Sequence, residues 1–311
     1  MTLKSIVTAL GGDLYAGGLQ ANVPGPGHSR QDRSVSLLLR GDRVVIHSFG
    51  AADWQAVRDD LCRRALITRD GRLIATAGPS SHAGPSSPKP DSAERRRVAR
   101  RLWQDASPLG GAQASLAYLE RRAIAHAMAV TNLRHHPAAP VSVYRDSGPT
   151  RPALVARIAA PTGELTAVEL TYLTPIGRPV LDLALPRKTV GLVPPGSAVR
   201  LARPRETLLV GEGVLTTLSA MAWFGLPGWA LMAARNLAAW TPPVGIRRVI
   251  IAGDRGAPGE TAAETLRRRL QRLGTTAEIR LPDPGFADWN DVAVADRRRE
   301  EGRPRAPVRR G

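Results

Sequence analysis

From Thr207 onward the sequence alternates between short apolar segments and helical segments, and no other feature constrains the fold as strongly. The strand-like and helical segments follow one another in the order 208–213, 214–225, 228–234, 247–253, 258–274 and 277–282. Alternation of this kind is typical of a parallel sheet with helices on its faces. The sequence therefore predicts an α/β class, with a Rossmann-like parallel sheet and flanking helices over residues 204–296.

Acidic residues follow the apolar strands of this region. Glu212 comes directly after the first strand, Asp254 after a later one, and Asp288 and Asp291 after the last. Ligands of parallel sheets bind beyond the carboxyl ends of the strands, and carboxylate oxygens suit hard divalent cations. These four residues are therefore candidate ligands of Mg²⁺ or Mn²⁺. The alternative is that the aspartates cap the turns and helices that follow them and that Glu212 is a surface acid.

The motifs around these acids resemble those of a known family. Glu212-Gly213 precedes the helical stretch Thr216-Thr217-Leu218-Ser219-Ala220, Asp254-x-Gly256-x-Pro258-Gly259 follows, and Asp288-Trp289-Asn290-Asp291 lies downstream. This order resembles the Toprim domain of bacterial-type primases, topoisomerases and some nucleases, and above all the phage- and plasmid-associated proteins related to primases.

The resemblance implies roles for the individual acids. Glu212 would be the general acid/base, and Asp254 with Asp288 or Asp291 would bind Mg²⁺, so that Glu212 and Asp254 are the catalytic candidates. Gly256 stands where the family has a second aspartate. The loss of one carboxylate weakens a hard-cation site. Glu260 is a substitute ligand or, alternatively, a helix cap.

Residues 1–74 resemble the N-terminal zinc module of primases without its thiolates. Asn22 and Ser48 occupy cysteine positions, which leaves His28 with His47 nearby. Two histidines make a poor tetrahedral zinc site. We therefore expect no zinc, and a degenerate zinc-ribbon-like module in which a hairpin (34–39 and 43–48) precedes a helix (53–64).

Three further segments complete the organisation of the chain. Residues 75–92 are rich in Pro, Ser and Gly and predict a flexible linker. Residues 93–203 predict a primase-like α+β region, with helices at 93–104 and 112–129 and strands at 153–159 and 166–172. Residues 297–311 predict a solvated basic tail.

The net charge of +17, which is mostly arginine, favours a polyanionic partner. Candidate nucleic-acid contacts are Arg187, Lys188, Arg255 and Arg267. The alternatives are a basic composition inherited from a GC-biased genome and solvated helix faces. With only Cys62, no apolar run of membrane length and no signal-type segment at residues 1–10, we expect a cytoplasmic protein with no membrane partner.

The combined expectation is a primase-like Toprim protein of phage- or plasmid-type DNA replication, associated with mobile genetic elements. It would bind single-stranded DNA and nucleotides and synthesise RNA primers by Mg²⁺-dependent nucleotidyl transfer. A nucleotide-binding Gly-x-x-x-x-Gly-Lys-Ser/Thr motif is absent from the sequence, so unwinding would require a separate replicative helicase. The alternatives are a Toprim nuclease and a non-catalytic DNA-binding accessory protein.

Overall fold

The computed structural model of the protein describes residues 2–27, 33–48, 54–74, 90–145, 147–180, 182–183 and 185–301. The chain divides into two compact units, Met1–Ser87 and Pro88–Gly311. His28, most of the predicted linker (75–89) and most of the predicted tail (302–311) lie outside the described residues. Within the described ranges, no helix combines the length and the apolar character needed to cross a bilayer.

The first unit is an antiparallel sheet with two helices. Its elements are helix α1 (Leu3–Leu10), strands β1 (Asp13–Tyr15), β2 (Gln20–Val23), β3 (Val35–Arg40) and β4 (Arg43–Ser48), and helix α2 (Trp54–Arg63). The strands pair in chain order. Arg40 lies opposite Arg43, so that Gly41 and Asp42 form a two-residue turn, with Gly41 at a φ of 63°. The predicted hairpin and helix are confirmed, whereas α1, β1 and β2 were not predicted.

The second unit begins with an antiparallel sheet. Its elements are α3 (Ser92–Gln104), β5 (Ser107–Pro108), α4 (Gln113–Arg121), β6 (Leu133–Pro140), β7 (Thr150–Ala159), β8 (Leu165–Tyr172) and β9 (Arg187–Gly191). The strands again pair in chain order. Asp91 caps α3, whose buried Val98 and Leu102 belong to one core with Val168 and Leu170 of β8. This part is α+β, as predicted.

The predicted single helix over 112–129 is wrong. Helix α4 ends at Arg121, Ala123 adopts a left-handed φ of 55°, and a short 3-10 helix follows at Ala125–Ala129. This break in the helix leaves Ile124 completely buried, and the amide of Ile124 donates to the carbonyl of Leu119 at 3.0 Å. Burial of a large apolar side chain offsets the cost of the unusual backbone angle.

The chain then forms the predicted parallel sheet. Its elements are β10 (Val199–Arg200), β11 (Thr207–Gly211), α5 (Val214–Phe224), β12 (Gly228–Ala230), α6 (Ala234–Ala239), β13 (Arg248–Ala252), α7 (Ala257–Arg272), β14 (Thr276–Arg280) and α8 (Trp289–Glu301). The strand order is β10-β12-β11-β13-β14, in which only β10 runs antiparallel. The expected α/β class is confirmed.

Helix α8 extends further than the sequence suggested. Its final residues, 297–301, were assigned to a solvated tail, but they form its last turn. Arg297 pairs with Glu301 at 2.8 Å and donates to the carbonyl of Glu120. At the start of the helix Trp289 packs edge-on against Phe224, with ring centroids 4.9 Å apart. Contacts distant in sequence therefore order this basic segment.

Candidate active site

Two of the candidate acids follow neighbouring strands. Strands β11 and β13 are parallel and in register, with Gly211 opposite Ala252. Glu212 directly follows the first of these strands, and Asp254 comes two residues after the second. Because parallel strands end at the same edge of a sheet, Glu212 and Asp254 lie side by side at the carboxyl edge.

Asp254 is the electrostatic centre of this edge. Its carboxylate is largely buried, and Oδ1 has no hydrogen-bond partner among the described residues. Burial, followed by the negative charges of Asp288 and Glu212, raises its pKa to about 7, while a hydrogen bond from Thr216 acts in the opposite direction. Three carboxylates thus share one electrostatic environment, although they come from distant parts of the sequence.

Glu212 is held at the start of two helices. It lies one residue before Gly213, the N-cap of α5, and its carbonyl accepts a hydrogen bond from the amide of Met232 at 2.7 Å. Burial raises the pKa of its carboxyl group, and a hydrogen bond with the backbone of Ala234 partly offsets this increase. A raised pKa makes the carboxylate a better proton acceptor, which favours a general acid/base role for Glu212.

Asp288 and Asp291 differ in their positions. Asp288 raises the pKa of Asp254, and its Oδ1 accepts from the amide of Asp291 at 2.9 Å, so it also caps α8. Asp291 is exposed, and its Oδ2 accepts from the amide of Ala287 at 3.2 Å. The structure therefore brings Glu212, Asp254 and Asp288 together and leaves Asp291 in a capping position.

The three neighbouring acids have the carboxylate oxygens that a hard divalent cation prefers as ligands. All offer hard oxygen ligands, and Asp254 offers a buried oxygen to which none of the described residues donates a hydrogen bond. Among the described residues, however, no three His, Cys, Asp or Glu side chains are already close enough to hold one ion. Mg²⁺ usually takes one or two protein carboxylates and keeps several waters. Glu212 and Asp254, with Asp288 beside them, would hold it in this way.

The loop after Asp254 requires glycine at two positions. Gly256 has a φ of 110° and a ψ of 150°, a combination that L-residues rarely adopt. A Cβ at Gly259 would come within 2.8 Å of the carbonyl oxygen of Asp254. Glu260 accepts from the amide of Gly256 at 3.2 Å, so it acts as a cap at the start of α7. The backbone at position 256 is thus suited to glycine and not to a second aspartate.

We predict that Gly256→Asp, which restores the family's carboxylate, destabilises the protein by about 1–3 kcal/mol, because the backbone angle disfavours any Cβ. No atom of the described residues lies within 4 Å of the new Cβ, so the penalty comes from the backbone and not from a clash. Gly256→Ala should cost about as much in urea unfolding. An aspartate variant as stable as the wild type would contradict this explanation.

The four basic candidates have different surroundings. Arg187 lines a small cavity with Glu169 and with Val214 and Leu215 at the start of α5, close to Glu212 in the chain. The other three make intramolecular contacts. The Lys188 ammonium donates to the carbonyl of Val141 at 2.6 Å, Arg255 Nε donates to the carbonyl of Pro282 at 2.7 Å, and Arg267 pairs with Glu264 at 2.7 Å. Their role in nucleic-acid binding stays a prediction.

Sequence reasoning missed the importance of Asn290. Its side chain is 2% exposed; Nδ2 donates to the carbonyl of Arg122 at 2.7 Å and to the Ser219 hydroxyl at 3.0 Å, while Oδ1 accepts from Arg122 at 3.3 Å. The amide thus ties the start of α8 to α5 and to the end of α4. The only sequence signal was an amide between acids in the Asp288–Asp291 motif.

Replacement of Asn290 by alanine should lower the free energy of unfolding by about 3 kcal/mol, since the Arg122 carbonyl and the buried Ser219 hydroxyl lose their partner. Asp291→Ala, on the same turn, removes one exposed capping bond and should cost about 1 kcal/mol or less. Urea unfolding of both variants measures the difference. Equal losses would show that the position of α8 does not depend on this amide.

A parallel sheet that gathers acids from Glu-Gly and Asp-x-Gly turns at its carboxyl edge defines a Toprim-type α/β domain. The comparison of sequences agrees: residues 207–298 match the family model described as "Toprim domain". The C-terminal part of the chain is therefore a Toprim domain. Residues 93–201 match a second model, described as "Domain of unknown function (DUF7146)". No curated protein matches the chain in sequence.

Solved primase structures show a remote likeness to the chain. The Aquifex aeolicus primase, with its zinc-binding and RNA polymerase domains, is 15% identical, with 96% of this chain and 81% of that one covered and a TM-score of 0.45. The DnaG catalytic core is 15% identical, with 67% and 79% covered and a TM-score of 0.46. The primase fragment of the bacteriophage T7 primase-helicase is 15% identical, with 58% and 67% covered and a TM-score of 0.39.

Proposed function

We propose that this Toprim protein is primase-like. In phage- or plasmid-type replication it would bind single-stranded DNA and nucleotides and join the nucleotides into RNA primers with Mg²⁺ or Mn²⁺. A separate helicase would supply the unwound strand. The observation that carries the proposal is the environment of Asp254, where a buried oxygen that has no partner in the described part of the chain lies near the charges of Glu212 and Asp288.

Each acid has a role that its surroundings favour. A divalent cation bound at this edge would neutralise the charge that develops on phosphate oxygens during transfer. Asp254, with its free oxygen, is the main candidate ligand, and Asp288 stands next to it. Glu212, whose pKa burial raises, would take the proton from the attacking hydroxyl group. Arg187, beside the start of α5, is our preferred contact to a substrate phosphate.

The test is incubation of the full chain with single-stranded templates, the four ribonucleotides and Mg²⁺ or Mn²⁺. Short products that depend on template and metal support primer synthesis. A labelled strand that shortens while no product forms would indicate the nuclease. Reactions without template and reactions in EDTA are the controls.

A non-catalytic DNA-binding protein is the second candidate, and the glycine at position 256 favours it. The loop backbone there is adapted to a residue without a carboxylate, and the acidic site therefore has one ligand fewer than the family pattern. This candidate predicts DNA binding that is sensitive to salt and indifferent to Mg²⁺. Anisotropy titrations of a labelled oligonucleotide with and without Mg²⁺ distinguish it from the enzyme.

A further inference from the structure

A second cleft lies within the Pro88–Gly311 unit, away from the acidic edge. It has a volume of about 390 Å³, and its walls include Thr131, Asn132, Pro161, Arg200, Arg203 and Trp229. Strand β10 runs antiparallel to β12, so the residues after Arg200 lie towards the amino ends of the parallel strands. Glu212 and Asp254 lie at the carboxyl ends. The cleft therefore lies towards the amino ends of the parallel strands, and the acids lie at the carboxyl ends.

Arg200 is fixed in the wall of this cleft. Its guanidinium lies over the ring of Trp229, 4.8 Å from the centroid, and Nη2 donates to the carbonyls of Ala160 and Pro161 at 3.1 and 2.9 Å. Nε is buried and has no hydrogen-bond partner among the described residues. Because Nε is buried, a ligand in the cleft would meet the partly exposed remainder of the guanidinium, which the Trp229 ring and two carbonyls hold in one orientation.

Two further arginines, Arg157 and Arg203, lie near Arg200. Arg157 Nη2 donates to the carbonyl of Gly163 at 2.8 Å, and burial together with the charge of Arg200 lowers the pKa of Arg157. Arg203 is exposed at the cleft. Within the described part of the chain no carboxylate pairs with these three arginines, whereas Arg267 and Arg268 share Glu264. Clustered arginines without carboxylates attract an anion.

We propose that this cleft binds a phosphate group, carried either by a free nucleotide or by the backbone of a nucleic-acid strand. Arg203 would make the first contact from the rim and Arg200 would contact the anion deeper in the cleft, while the hydroxyl of Thr131 offers a further donor. The planar, always charged guanidinium matches phosphate oxygens in geometry and charge. Binding here needs no metal ion, because the protein itself supplies the positive charge.

The experiment measures binding in EDTA, which removes any contribution from a metal at the acidic edge. A fluorescently labelled single-stranded oligonucleotide is titrated by anisotropy, and ATP by calorimetry, against wild type, Arg203→Gln and Arg205→Gln. Arg205 is exposed two residues away and does not line the cleft. Arg205→Gln therefore removes the same charged group outside the cleft and is the matched control for Arg203→Gln. Both arginines are exposed, and neither forms an ion pair or side-chain hydrogen bond with the described residues, so both variants are expected to fold.

The loss of one guanidinium contact to phosphate should weaken binding by about tenfold in Arg203→Gln and by less than about twofold in Arg205→Gln. A loss for both ligands indicates recognition of phosphate itself, and a loss for the oligonucleotide alone indicates the strand backbone. Equal losses in the two variants, or no loss in either, would overturn the proposal. Because binding is measured in EDTA and without turnover, the outcome is independent of the proposed catalysis.

Discussion

Replacement of Glu212 by glutamine is expected to reduce primer synthesis by about 100-fold or more, because the variant keeps the shape of the side chain but cannot accept a proton. The amide also lacks the charge that attracts a cation to the carboxyl edge. Template-dependent incorporation of labelled ribonucleotides at saturating Mg²⁺ measures the loss. DNA binding in EDTA should be unchanged, which separates a chemical defect from a structural one.

Glu206→Gln is the matched control for this variant. Glu206 lies at the opposite end of the same strand, just before Thr207, where it is exposed and pairs with Arg247 at 3.1 Å. Its substitution changes the same functional group without touching the acidic edge, so activity should stay within about twofold of wild type. Comparable losses in the two variants, or full activity in Glu212→Gln, would remove Glu212 from the proposed mechanism.

The position of the acidic edge was predictable because it depends on local patterns. Apolar segments alternate with helices, parallel strands end at one edge, and Glu212 and Asp254 follow adjacent strands. Asp288 was harder to place, since seven residues separate it from the end of β14. The sequence could not decide between Asp288 and Asp291. In the structure the charge of Asp288 acts on Asp254, whereas Asp291 accepts a capping hydrogen bond from the amide of Ala287.

Features that depend on contacts distant in sequence could not be predicted. The helix over 112–129 breaks because Ile124 is buried against the rest of the unit. Helix α8 includes residues 297–301, the first five of the predicted tail, where Arg297 donates to the carbonyl of Glu120. Lys188 was predicted to contact nucleic acid, yet its ammonium reaches the carbonyl of Val141 and the face of Tyr172. Periodicity and charge identify candidates, but tertiary packing decides which of them remain accessible.

Asp254→Asn should make the metal-free protein more stable at alkaline pH. The folded-state pKa of Asp254 is about 7, above its usual value of 3.8, so the folded state binds more protons than the unfolded state between these pH values. Stability associated with this group is therefore fully present below about pH 4 and is lost as pH rises through about 7. Asparagine removes this titration and the buried charge.

The expected gain in EDTA at about pH 8 is on the order of 1–2 kcal/mol, reduced from the full shift because solvent screens a partly exposed group. The gain should vanish below about pH 3, where the aspartate is protonated in both the folded and the unfolded state. Thermal unfolding across the pH range measures it. Asp283→Asn, an exposed aspartate in the loop before α8, is the matched control and should change stability little at any pH.

Mg²⁺ should favour the wild type over Asp254→Asn, which is the opposite of the order of stability expected in EDTA at alkaline pH. Wild type should gain stability from the ion, because binding to the folded state alone shifts unfolding by mass action, whereas Asp254→Asn should gain little or nothing. The Asp254 carboxylate would then destabilise the metal-free protein at alkaline pH and bind the cation when it is present. Stability would thus be lost in favour of function at one residue. An Asp254→Asn protein that is less stable than wild type in EDTA, or that Mg²⁺ still stabilises, would show that the acids do not form the metal site.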